Sequence, residues 1–511
     1  MNAANRVAVN TLIIYGRMVF TIGISLYTTR IVLATLGAED YGIFNLIGGV
    51  ILMLSFLNAA MSASTQRFLS YYQGKNELDQ QRRVFSNSLL LHLFIALLLV
   101  AFIEFFSPIV FNHLINIRAP RLTAAKYVYH FTSLNVLFVV ITVPFNATLI
   151  AHENMIWVAF VNILETVLKL AIAIIISGIN MDKLIAYAAM MAIVPLISLI
   201  LYAMFCLRRY EECRASFWKD RNRNLLYKLG SFAGWNLFGA LCGLGRSQGL
   251  AILLNKFFGA RINAAYAMSN QVSSQLNFLS ATMLRALNPQ IMKSEGSGDR
   301  ERMLRLSASG SKFCFFLLSF FGIPFIFEMK SILSFWLTEV PPHTTEFCQF
   351  ILVAMMISQI TVGLQSAIQA TGNIKLYQIV VGSILISTIP ISIIFLKMGY
   401  PPVTVFYVYC AVEFMSCCFR IYFLRKFAGL SVRFFMVNNF LKIILPVLVS
   451  LIVCGAMVEL LDFKPRFLFT ILLSGLFFTL SFYFCGLDSK EKNIVDGMAR
   501  KLVGKIAKTK K

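Results

Sequence analysis

Apolar runs long enough to cross the ~30 Å hydrocarbon core of a bilayer as helix recur along the whole chain. They lie near residues 9–36, 41–65, 86–107, 124–149, 156–178, 184–207, 229–255, 263–288, 306–330, 346–370, 376–397, 403–424, 438–460 and 466–487. The pattern predicts an all-α polytopic membrane protein of about 14 transmembrane helices, with 124–149 and 263–288 its most polar members. No segment between runs is much longer than 20 residues, so no extramembrane domain is expected. The first run, of about 27 residues, exceeds the ~7–15 of a signal-peptide core and reads as a transmembrane helix.

The pattern repeats. "LSFLNAAM" (Leu54 to Met61) and "LNFLSATM" (Leu276 to Met283) share five of eight positions at an offset of 222 residues. In the same register Gly37–Ala38 falls on Gly259–Ala260. An offset that carries six helices, an even number, gives the two copies one membrane orientation, the arrangement of parallel repeats. The predicted organisation is an N-lobe at 1–207, a cytoplasmic linker at 208–228 and a C-lobe at 229–424. Two extra helices at 438–487 and a basic cytoplasmic tail at 488–511 follow.

Composition agrees with a membrane protein: 58% of residues are hydrophobic and 14% charged. The net charge of +23 could suggest nucleic acid, but the cations sit in short loops and in the tail. With the N-terminus inside, cytoplasmic segments hold 28 Lys and Arg against ten outside, which places both termini in the cytoplasm. Ten cysteines, scattered mostly in apolar runs without CxxC or His/Cys metal spacing, read as small apolar packers. No phosphate-binding loop, zinc-protease or nucleophile-elbow motif is present, so no catalytic residue, metal or cofactor is expected.

Candidate chemistry therefore lies among polar residues at membrane depth, which are costly there and mark function. Lys312, Arg420 and Lys442 lie near predicted cytoplasmic helix ends and are expected to snorkel to the headgroups; Arg285 either snorkels or faces the lumen. Arg17, Arg30, Lys169 and Arg246 are deeper. Arg17 and Arg30 are about 20 Å apart along a straight helix and about 220° around it, so they cannot aim at one spot. Glu165 and Lys169 have i, i+4 spacing, open to either an ion pair or a cavity-facing role. Glu413 is a lone carboxylate in its run, open to a pair with an arginine such as Arg420; with Glu165 it is the candidate for ion coupling. Asn58, Asn270, Gln271, Gln275 and Asn277 suggest a wet, hydrogen-bonding surface. A positive lumen lined with amides suits a substrate bearing phosphate and sugar, since arginine grips phosphate in a planar fork.

Several stretches resemble a known family: "LATLGAEDYGIFNLI", "NAAMSASTQRFLS", "GSFAGWNLFG", "SFWLTEVPP" (Ser334 to Pro342) and "AIQATGNIKLYQ". Over essentially the whole chain they are similar to the Wzx-type polysaccharide flippases. These belong to the multidrug/oligosaccharidyl-lipid/polysaccharide exporter (MOP) superfamily. The resemblance implies a V-shaped, MATE-like architecture of two lobes and alternating access. It implies transfer of undecaprenyl-pyrophosphate-linked oligosaccharide across the bacterial inner membrane for O-antigen or capsule synthesis. Membrane lipids and glycan-polymerase or chain-length proteins would be its partners, with no enzymatic activity. The pyrophosphate would be held by lumen cations, here Arg17, Arg30, Lys169, Arg246 and Arg285. The expected clamp pairs Arg17 with Arg246 from the opposite lobe, with Arg30 guiding the headgroup at the outer mouth; the competing account is a structural ion pair with Glu413 or Glu165 as partner. Flippases of lipid-linked peptidoglycan precursors are the nearest alternative, and a membrane glycan polymerase or ligase is the alternative from another class.

Overall fold

The computed structural model describes residues 3–52, 55–114, 117–214, 220–337, 339–460, 466–489, 491–493 and 495–497. The chain is all-helical. The first unit, Ala8–Leu237, contains nearly all of α1 (Ala3–Leu52), then α2 (Ser55–Gly74), α3 (Leu78–Ile109), α4 (Ala119–Ala151), α5 (Met155–Ile175) and α6 (Lys183–Arg209). It ends inside α7 (Arg223–Phe258), and the second unit runs on from Phe238. That unit holds α8 (Ala260–Gly296), α9 (Arg300–Trp336), α10 (Thr344–Gln359), α11 (Val362–Thr371), α12 (Lys375–Lys397) and α13 (Thr404–Ala428). The short α14 (Val432–Phe435), α15 (Leu441–Leu460) and α16 (Arg466–Ser481) complete it.

Eleven helices among the described residues are long and apolar enough to span a bilayer, or twelve if α10 and α11, bent by 43°, form one span. The physical reasons for the difference from fourteen are plain. The run at 9–36 and the start of 41–65 are counted together as α1, two helical segments meeting at the kink of Gly37, with 55–65 in α2; α8 is too polar to qualify; and 346–370 is broken between α10 and α11.

The repeat is written into the backbone. Gly37 (φ 78°, ψ 168°) and Gly259 (φ 83°, ψ 180°) share a conformation open essentially to glycine alone. Both stand 222 residues apart, as do the helix ends at Gly74 and Gly296 and the helix starts at Leu78 and Arg300. Each glycine turns the chain sharply between two long helices. Gly259→Ala meets no neighbouring atom, so its cost is backbone strain alone, about 1–3 kcal/mol. A drop of a few degrees in the apparent Tm of the detergent-purified variant is expected, and an unchanged Tm would refute the strain.

In the first unit α4 is central, packed on α6, α3 and α2 around Val128, Tyr129, Leu184 and Ala188. The start of α7 joins this unit: Ser64 donates to the Leu229 carbonyl (3.0 Å), and Phe68 meets Phe232 edge-on. In the second unit α8 packs on α9 and α10, and α13 on α10 and α12.

Helices α15 and α16 lie on α9 and are fixed to it by buried charges. Lys312, 1% exposed, donates to Glu491 (2.5 Å) and to the Gly486 carbonyl (3.1 Å). Glu328 accepts two hydrogen bonds from Arg466 (2.8 and 3.1 Å) and one from Thr470 (2.9 Å). Lys442 pairs with Asp488. The expected snorkelling of Lys312 is thus overturned, because Glu491, in the segment read as the basic cytoplasmic tail, meets it. Arg420 is likewise buried rather than snorkelling.

Candidate functional site

Each unit carries its own polar cluster at membrane depth. In the first unit Ser198 of α6 donates to Glu165 of α5 (2.5 Å), and Asn162 donates to the Tyr202 hydroxyl (3.5 Å). Asn146 of α4 also hydrogen-bonds that hydroxyl, and the charges of Glu165 and Arg17 both act on it. Four helices therefore bring Arg17, Glu165 and a set of amides and hydroxyls together. Glu165 is engaged by Ser198, and among the described residues it forms no ion pair with Lys169 four residues on, although both are half-buried. Arg30 is exposed and stands apart from this cluster. Asn58 on α2 is half-buried, with an Oδ1 that has no hydrogen-bond partner.

In the second unit the dominant feature is an ionic network. Arg246 of α7 donates to Glu413 of α13 (2.7 Å) and to the Tyr409 hydroxyl (2.9 Å), and its guanidinium lies 4.1 Å from the Tyr409 ring centre. The members on α13 are set by spacing: Tyr409, Glu413 and Arg420 recur at i, i+4 and i+11, one face of the helix. Arg420 donates to the Ser358 carbonyl and hydroxyl (3.2 Å each) and to Thr361 (3.3 Å), and also bonds Tyr377. These contacts satisfy the backbone where α10 breaks from α11, since a broken helix leaves carbonyls without their usual donors. Glu413 acts on both guanidiniums, so the network keeps one positive charge in excess.

This geometry bears on two sequence expectations. Arg246 is buried and paired with Glu413, the arrangement of the structural ion-pair account rather than of an open anion clamp. Glu413 is not a lone carboxylate; Arg246 holds one of its oxygens, while Oε2 is buried without a hydrogen-bond partner. The partners are 167 residues apart, out of reach of any spacing argument. Spacing does not reveal the role of Arg420 either. Its sequence signal is the polar string "SQIT" at Ser358–Thr361, which follows the apolar stretch Phe350–Ile357.

The third feature is α8, which is polar on its outside. Gln271, Ser274, Gln275, Asn277 and Arg285 are exposed along one broad face, and Asn270 is half-buried. Carboxamides without partners cost several kcal/mol each in hydrocarbon, so this face needs water beside it. Among the described residues no group of His, Cys, Asp or Glu stands close enough to hold a metal ion.

No family model and no curated protein sequence matches the chain. Among solved structures it is similar to a mutant of a MATE protein, with 12% identity and a TM-score of 0.71 over 84% of this chain and 97% of that one. It is also similar to the outward-facing conformation of a multidrug-resistance MATE transporter of the MOP superfamily (13%, 0.69, 84% and 96%). A third is a MOP superfamily transporter from Pyrococcus furiosus, described as having a binding pocket of reverse polarity that suggests a different function (12%, 0.70, 84% and 95%). The chain thus has the MATE-like fold of these transporters.

Proposed function

We propose that the protein is a flippase that moves undecaprenyl-pyrophosphate-linked oligosaccharide from the cytoplasmic to the outer leaflet of a bacterial inner membrane. Both termini would be cytoplasmic, and the process would serve surface polysaccharide synthesis. The observation that carries this reading is the exposed polar face of α8, running from Gln271 to Arg285 between two membrane-spanning helices. It gives a large hydrophilic headgroup a wet track of donors and acceptors, while the lipid tail stays in the bilayer. The charge balance supports an anionic headgroup. In the second unit Glu413 is already paired with Arg246, and with Arg420 in the same network one positive charge is in excess. In the first unit Arg17 is assigned to the pyrophosphate, and in the second unit Arg285. A cation exporter would want the opposite balance, and a pocket of reverse polarity was the reason given for a different function in the Pyrococcus protein.

The mechanism follows from differential contacts. The headgroup binds where guanidiniums and amides replace its hydration shell. The state change then carries it past the apolar core without exposing it to acyl chains. Deleting the gene is expected to abolish surface polysaccharide and to leave lipid-linked repeats on the cytoplasmic leaflet. Unchanged surface glycans would refute the assignment.

A further inference from the structure

The second unit contains a cavity of about 310 Å³ beside the polar track of α8, with Asn277 shared between the two. Asn277 and Asn288 of α8 line it, with Gln359 at the end of α10 and Gln365, Ser366 and Gln369 on α11. No charged side chain is among its lining residues. Gln359 is only 5% exposed, yet its Oε1 has no hydrogen-bond partner, and its amide nitrogen reaches only Asn277 at 3.5 Å. The Oδ1 of Asn288 is buried without a partner too. A buried carboxamide left unpaired costs about 1–3 kcal/mol, so two of them in one cavity call for a hydrogen-bonding occupant, water or the hydroxyls of a ligand.

We infer that this cavity is a subsite for one neutral sugar unit of the transported headgroup. Five carboxamides and two serine hydroxyls match the paired donors and acceptors of vicinal sugar hydroxyls. The absence of charge among the lining residues disfavours a phosphate or an amine. The volume lies at the small end of the ~300–1,000 Å³ range of ligand pockets, suited to a single ring rather than a chain. The site is rigidly framed, because Arg420 braces the α10–α11 break at Ser358 and Thr361, next to Gln359. The inference rests on the flippase reading and assigns it a sugar-recognising position in the second unit.

The test uses the full-length protein in nanodiscs, with Gln359→Leu and the more exposed Asn277→Leu as variants. Removing an unpaired oxygen leaves Gln359→Leu well folded, and Asn277→Leu covers the case in which it is not. Binding is measured for an undecaprenyl-pyrophosphate-linked oligosaccharide and for undecaprenyl pyrophosphate alone. Saturation transfer to glucose, galactose and N-acetylglucosamine is recorded in parallel. Each variant is expected to bind the sugar-bearing lipid about 5-fold more weakly, one neutral hydrogen bond's worth, with the bare lipid unaffected. Wild-type affinity of both variants for the sugar-bearing lipid overturns the subsite. If wild type binds neither lipid but shows saturation transfer that Gln359→Leu abolishes, the subsite stands and the flippase reading falls. No transfer to any sugar together with no lipid binding overturns both.

Discussion

Glu413→Ala is expected to remove most of the protein from the membrane. The substitution leaves Arg246 buried with only the Tyr409 hydroxyl and ring, and leaves Arg420 without its nearest carboxylate. Breaking a buried pair by deleting one partner costs about 3–5 kcal/mol, a large share of a domain's ~5–15 kcal/mol. The cost is asymmetric. Arg246→Ala leaves Glu413 with Arg420 still beside it, so its loss should be the milder of the two. Neutralising both, as Arg246→Met with Glu413→Leu, should restore membrane levels to near wild type, because a hydrophobic replacement of a buried pair is often neutral or stabilising. Immunoblotting of membranes and thermal unfolding in detergent measure the order: Glu413→Ala lowest, Arg246→Ala intermediate, double variant highest. Glu413→Ala at wild-type abundance and Tm would show that the pair is not structural.

Arg285→Ala should behave in the opposite way, with normal abundance and little transport. The side chain is exposed at the end of the polar face of α8, so its loss uncovers no buried partner. A hydrogen bond to a charged group contributes about 1.5–3 kcal/mol, so losing the bidentate grip on pyrophosphate should cut transport by about 10- to 150-fold. Arg285→Lys should recover part of this, keeping the charge and losing the fork. Equal loss in the Lys and Ala variants would mean that geometry alone matters. Full activity of Arg285→Ala would remove it from the substrate path.

Much of the architecture could be read from residue patterns, for a definite reason. The repeat is legible because a glycine-only backbone conformation recurs at Gly37 and Gly259 and constrains the sequence around it. The polar character of α8 is legible because it runs against the hydropathy of its neighbours. The fate of single charges is not. Helical spacing says which residues share a face, but not whether that face meets a cavity, lipid or another helix. Arg246 and Lys312 illustrate this: each is paired with a carboxylate, Glu413 and Glu491, more than 160 residues away. The bend between α10 and α11 is not legible either, since the polar string Ser358–Thr361 looks the same whether or not Arg420 is there to brace a break.

The central claim is that the protein carries a lipid-linked glycan across the bilayer. Its most direct test is reconstitution of the purified chain into liposomes with a fluorescent undecaprenyl-pyrophosphate-linked oligosaccharide, followed by quenching from outside. Protein-dependent movement of the labelled lipid between leaflets that is lost in Arg285→Ala is the predicted result. The same rate in empty liposomes and in liposomes holding the wild-type protein would contradict it.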